Sequence, residues 1–196
     1  MRVLVIGGTG TIGSAVVAAL RGRHEVIATS RSGTPRVDLA DRRTIARLLE
    51  RLSDADAVVC CAASAPFASL GEVSDDEFVA SITPKLLGQA AVAIHAAAHP
   101  RDGGSITLTP GAIPERTSGA AGGALVNAGL EAFARAAAQD LGRGLRIDAV
   151  SPGWVAETLA ELGMDAAQGT PVAEVVRAYV TAVESTVSGE ILRPRT

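Results

Sequence analysis

Gly7, Gly10 and Gly13 recur at intervals of three in Gly7-Gly8-Thr9-Gly10-Thr11-Ile12-Gly13, directly behind the apolar run Met1-Arg2-Val3-Leu4-Val5-Ile6. A glycine-rich turn between a strand and a helix can hold phosphate. Glycine lets the backbone approach the ligand closely, and the first helical turn presents free N–H groups and the positive end of a dipole. The spacing G-x-x-G-x-x-G departs from the usual G-x-G-x-x-G, so the position in the first strand-to-helix turn carries much of the weight. The expected ligand group is a pyrophosphate. The adjacent pair Cys60 and Cys61 falls at the end of an expected buried strand, where successive side chains point to opposite faces and are poorly placed to bridge each other. With no His pair nearby they make no zinc site, and buried structural thiols are the expectation.

The elements that must position these groups alternate. Short apolar runs at Val3–Ile6, Glu25–Thr29, Ala57–Cys61, Ser105–Thr109, Arg146–Val150 and Glu190–Leu192 read as strands. Helical stretches lie between them near Ile12–Arg21, Arg42–Leu52, Asp75–Ala98, Gly119–Leu141 and Pro171–Glu184. This order predicts an α/β fold of the Rossmann type. It is a doubly wound parallel sheet with helices on both faces and ligands outside the strand C-termini. The 196 residues are expected to form one dinucleotide-binding domain, residues 1–196. With 47% hydrophobic and 20% charged residues and a net charge of −3, nothing points to nucleic acid or an anionic membrane surface. No apolar run reaches transmembrane length and the first strand begins at once, so the expected location is cytoplasmic.

Nearly the whole chain resembles the short-chain dehydrogenase/reductase family. The glycine turn is similar to the family's cofactor turn. Asp38-Leu39, placed after a third short strand, resembles the Asp that contacts the adenine ring. Cys60-Cys61-Ala62-Ala63 stands where the family has Asn-Asn-Ala-Gly, and Gly104-Ser105-Ile106-Thr107-Leu108-Thr109 is similar to the strand leading to the catalytic serine. Arg146-Ile147-Asp148-Ala149-Val150-Ser151-Pro152-Gly153-Trp154-Val155 resembles the family's R-I-N-A-V-S-P-G-x-V. The resemblance implies that Pro152, Gly153, Trp154 and Val155 cup a nicotinamide. It also implies that Gly7, Thr9, Gly10, Thr11, Ile12, Gly13, Asp38, Leu39, Cys61, Ala62 and Ala63 contribute to the cofactor site.

The same comparison implies an altered catalytic set. Counting back from Leu130-Glu131-Ala132-Phe133 puts Gly123 at the family's catalytic Tyr and Asn127 at its Lys. The serine position falls on Pro110, with Thr109 just before it. Counting three back from Gly88 puts Lys85 where the family carries a relay Asn, so Lys and Asn have traded places. Lys85, Thr109 and Asn127 are therefore the expected catalytic residues, with a partly desolvated Lys85 suited to proton transfer or carbonyl polarisation. Tyr179, the sole tyrosine, is read as packing or surface. The family's Thr after the Pro-Gly loop falls on Glu157, and the stretch from Ala156 to Gly169 makes only a short substrate lid.

The end of the second strand, Thr29-Ser30-Arg31-Ser32, carries no acidic residue. An acid there would bind a ribose 2′-OH, whereas Arg31, with Ser30 and Ser32, can hold a 2′-phosphate, so NADP(H) is expected. The functional expectation is an NADP(H)-dependent reductase acting on a small carbonyl or activated alkene through a non-standard proton relay. The alternative is a catalytically inactive NADP(H)-binding regulatory or partner subunit. The Ala-rich long helices suit a homodimer or homotetramer. The expected partner is a small-molecule substrate, with no nucleic acid, no membrane and no metal.

Overall fold

The computed structural model describes residues 1–62, 67–99, 101–114 and 116–194. Five of its six strands follow the β-branched runs: β1 (Arg2–Ile6), β2 (Glu25–Thr29), β3 (Ala57–Cys60), β4 (Ser105–Leu108) and β5 (Arg146–Val150). A two-residue β6 (Ile191–Leu192) closes one edge. All pairings are parallel and the order is β2-β1-β3-β4-β5-β6. The order reverses beside β1, which creates the crevice where α/β sheets bind ligands.

Strand alternation divides the core in two. Leu4, Ile6, Val58, Cys60 and Ile147 face α2 (Arg42–Arg51), α3 (Asp75–Ala98) and α4 (Ala121–Asp140). Val3, Val5, Ala57, Val59 and Val150 face α1 (Thr11–Arg21) and α6 (Val172–Glu184). Both faces of the sheet are thus dry, as near-continuous apolar strands require. Ser74 and Glu77 form a reciprocal capping box that starts α3. A short helix α5 (Ala156–Glu161) and a single 3₁₀ turn at Ala166–Gln168 occupy the stretch expected to be a lid.

The third strand expected before Asp38 is absent. Asp38 precedes β3, and the chain after β2 makes one isolated bridge, Ser30 to Arg36, before entering α2. Cys60 and Cys61 are free thiols packed into opposite cores, as the alternation requires. No described helix is long and apolar enough to cross a membrane.

Candidate active site

The glycine turn joins β1 to α1 at the crevice. Gly7 takes φ +82°, and a Cβ on it would lie 2.9 Å from Ala62. A Cβ on Gly13 would lie 2.0 Å from the Gly7 carbonyl oxygen, so both positions exclude side chains. Gly10 is different: a Cβ there would meet only Gly7 O, at 3.7 Å, which leaves open space before the helix. No side chain caps α1, and its first turn holds no acid. The turn therefore fits a phosphate group.

A cavity of about 440 Å³ opens in front of it, bordered by Gly7, Thr9 and Gly10, by Ser30 and Arg31, and by Asp38, Leu39, Cys61 and Ala62. Arg31 is exposed and has no hydrogen bond or ion pair among the described residues, while the buried Ser30 Oγ has no partner. Ser32 is exposed and does not border the cavity. Leu39 reaches this wall because Gly88 of α3 lets it: a Cβ there would lie 2.6 Å from Leu39 O. Thr11 turns its hydroxyl to Glu161 of α5, at 3.4 Å. Ala63 lies outside the described residues.

Cys61 is shared with a second cavity of about 250 Å³, bordered by Ile12, Lys85, Thr109, Asn127 and the Pro152, Gly153, Trp154, Val155 loop. Here α3 and α4 bring together Lys85 and Asn127, the two residues for which the family resemblance implies exchanged places. Lys85 Nζ donates to Asn127 Oδ1 at 3.0 Å and to Pro110 O at 2.6 Å. Both side chains are buried. Burial disfavours the ammonium and pulls the Lys85 pKa down to about 8.

Thr109 borders this cavity, but its hydroxyl is engaged elsewhere. It donates to Cys60 O at 2.6 Å, which leaves the fully buried Tyr179 hydroxyl to donate to Thr109 Oγ1 at 2.7 Å. The expectation that Thr109 delivers a proton is therefore revised to one of structural anchorage. Tyr179 is a buried hydrogen-bonding partner rather than plain packing.

Gln89, one turn beyond Lys85, was not singled out from sequence. Its carboxamide accepts from Thr109 N at 2.8 Å and donates to Thr109 O at 3.0 Å and Ala62 O at 3.3 Å. The i, i+4 spacing of two polar residues on the apolar side of α3 is the signal that could have found it. Ile113 was missed as well. A Cβ on Gly123 would come within 2.7 Å of Ile113 Cδ1, so an apolar side chain fills the space beside the position the family resemblance gives to Tyr. Glu157, aligned with a carboxamide-binding Thr, instead accepts from Val172 N at 2.9 Å and caps α6. Phe67 stacks on Trp154 with ring centroids 5.9 Å apart.

A wider concavity of about 720 Å³ lies at the opposite, N-terminal end of the strands, bordered by Arg2, Glu25, Asp56 and Arg101, and is laced by the ion pairs Arg2–Glu25 and Arg101–Asp56. Among the described residues, no group of three or more His, Cys, Asp or Glu could hold a metal.

A parallel sheet with a glycine turn at its switch point and an adjoining polar floor defines an α/β protein of the Rossmann class. Residues 16–183 match the family model described as enoyl-(acyl carrier protein) reductase. The chain belongs to the short-chain dehydrogenase/reductase family. It is similar to the protein lin1944 from Listeria innocua, with 31% identity, a TM-score of 0.92 and 100% of each chain covered. A small-chain dehydrogenase in complex with NADPH has 24% identity and a TM-score of 0.86, covering 98% of this chain and 95% of its own. A short chain dehydrogenase from Burkholderia cenocepacia J2315 in complex with NADP has 22% identity and a TM-score of 0.84, with the same coverage. No curated protein matches the sequence.

Proposed function

We propose that this chain is one NADP(H)-binding oxidoreductase domain that reduces a small carbonyl or activated alkene, with Lys85 and Asn127 replacing the usual proton relay. The single observation that carries the reading is the buried Lys85–Asn127–Pro110 cluster at the floor of a cavity adjoining the phosphate turn. The neighbours crystallised with NADPH and NADP support the cofactor, as does the unpartnered Arg31 beside the cleft. Gly7, Gly10, Gly13 and the α1 N-terminus would hold the pyrophosphate, Asp38 and Leu39 the adenine side, and Ser30 with Arg31 a 2′-phosphate. Ser32, Thr11 and Ala63 belong to the same segments. Bound there, the dinucleotide supplies the hydride.

The chain's own residues do the rest. Asn127 Oδ1 and Pro110 O fix Nζ in place, and Nζ moves a proton toward the substrate oxygen. A pKa near 8 leaves that proton available at neutral pH. The Pro152, Gly153, Trp154 and Val155 loop and Ile12 keep water from the reacting bond. Thr109 holds the floor through Cys60 and Tyr179.

The test is calorimetric titration with NADPH and NADH, followed by NADPH consumption over a panel of ketones, aldehydes and enones. NADPH should bind in preference to NADH. Lys85→Met should lower kcat by ~10²-fold or more while leaving NADPH affinity largely unchanged. Tight NADPH binding with no turnover in the wild-type chain would favour a regulatory or partner subunit, a reading that Ile113 beside Gly123 also supports. Assembly as a homodimer or homotetramer is proposed through α3 and α4, where Val79, Leu87, Ile94 and Leu125 are exposed apolar side chains.

A further inference from the structure

Lys85 is a cation with no counter-ion among the described residues. The chain's other well-placed cations meet carboxylates: Arg23 on Glu184, Arg101 on Asp56, Arg193 on Glu131. Lys85 has only the neutral acceptors Pro110 O and Asn127 Oδ1, and its third N–H has no acceptor among the described residues. Among the described residues, no carboxylate borders the cavity it faces. A buried charge with no opposite partner is costly, and the cost falls when a ligand brings the missing charge. The remaining walls are largely apolar, with the planar rings of Phe67 and Trp154 stacked on each other and Ile12, Ile113 and Val155 also lining the space. At about 250 Å³ the space is smaller than typical drug-sized sites of ~300–1,000 Å³.

We propose that this cavity binds a small, flat organic anion, with a carboxylate or other charged oxygen on Lys85 Nζ and the apolar body against Trp154. The proposal rests on the reading of Lys85 as the group that meets substrate, and extends it by assigning that substrate a negative charge. The titratable groups facing Lys85 from neighbouring elements are Cys60 at the end of β3, Cys61 directly after it and, behind Thr109, Tyr179 of α6. Burial pushes Cys60 up to about 12 and holds Cys61 and Tyr179 well above their ordinary values. The α4 neighbour Asn127, the Thr109–Pro110 turn and the Pro152–Val155 loop bring no ionisable group. Lys85 is then the one facing group among the described residues that titrates near pH 8.

The chain has one tryptophan, Trp154, at this cavity, so its fluorescence reports occupancy directly. Benzoate and benzamide serve as probes, similar in shape but differing in charge. Benzoate should bind at least ~10-fold tighter than benzamide near neutral pH, a modest margin for one charge-assisted contact. The preference should fade as the pH rises through about 8, where Lys85 loses its proton. It should be absent in Lys85→Met. Equal binding of the two probes, no quenching by benzoate, or a preference that survives both high pH and Lys85→Met would overturn the proposal. The pH series uses the wild-type protein, so the test stands even if the variant fails to fold. NADPH titrated in parallel separates the two readings. Dinucleotide binding without benzoate preference sinks the anion site alone, and benzoate preference without dinucleotide binding sinks the oxidoreductase reading alone.

Discussion

Lys85 couples the site to the stability of the fold. Its folded pKa near 8 lies below the ordinary 10.5, so between these values the unfolded chain carries the extra proton. Stability therefore rises with pH across that window, and the penalty is fully present below pH 8. Denaturant unfolding at pH 7 and pH 10 should show the wild-type chain gaining up to about 3 kcal/mol relative to Lys85→Met, whose curve lacks this slope. Arg31 works at the other end of the cleft. Arg31→Ala should weaken NADPH binding roughly 10- to 100-fold and leave NADH nearly untouched, as read by calorimetry. Equal losses would remove the 2′-phosphate contact. At this scale the sequence was partly legible. The glycine spacing and Arg31 are local signals, and the pairing of Lys85 with Asn127 was implied by the family resemblance. The engagement of Thr109 was not legible, because Tyr179 sits 70 residues further on and meets it only through the packing of α6 under the sheet.

Element by element, α3 does more than cover the sheet. Gly88 admits the Leu39 segment, Lys85 faces the cavity, and Gln89 ties the ends of β3 and β4 together through Ala62 and Thr109. Gln89→Ala would strand the Thr109 N–H and C=O, each at roughly 1–3 kcal/mol. A fall in melting temperature of about 5–10 °C by calorimetry is the expected outcome for a chain of this size. An unchanged melting temperature would mean water replaces the carboxamide. Helix and strand periodicity located α3 and all of the first five strands to within a residue at either end, because their apolar faces are long or continuous. The six-residue α5 escaped notice because so short a segment shows less than two full turns of any pattern.

For the molecule as a whole, the apolar residues left exposed on α3 and α4 bear on assembly. Ile94→Glu and Leu87→Glu together should convert a dimer or tetramer into a monomer in light scattering, since charges on a buried apolar contact are strongly unfavourable. A wild-type chain that is already monomeric would refute the proposed interface. The second core has a different consequence. Val16, Val17 and Leu20 of α1 pack with Val175, Val176, Tyr179 and Val183 of α6, so the first and last helices share one layer. During translation the phosphate turn emerges early and α1 can pack on β1 and β2, yet the side of α1 that meets α6 stays uncovered until α6 follows. The growing chain must carry an uncovered apolar face throughout synthesis, which is where chaperones bind and aggregation begins. The Tyr179 anchor for Thr109 comes with that same last helix, so the ribosome delivers one hydrogen-bonded support of this cavity last.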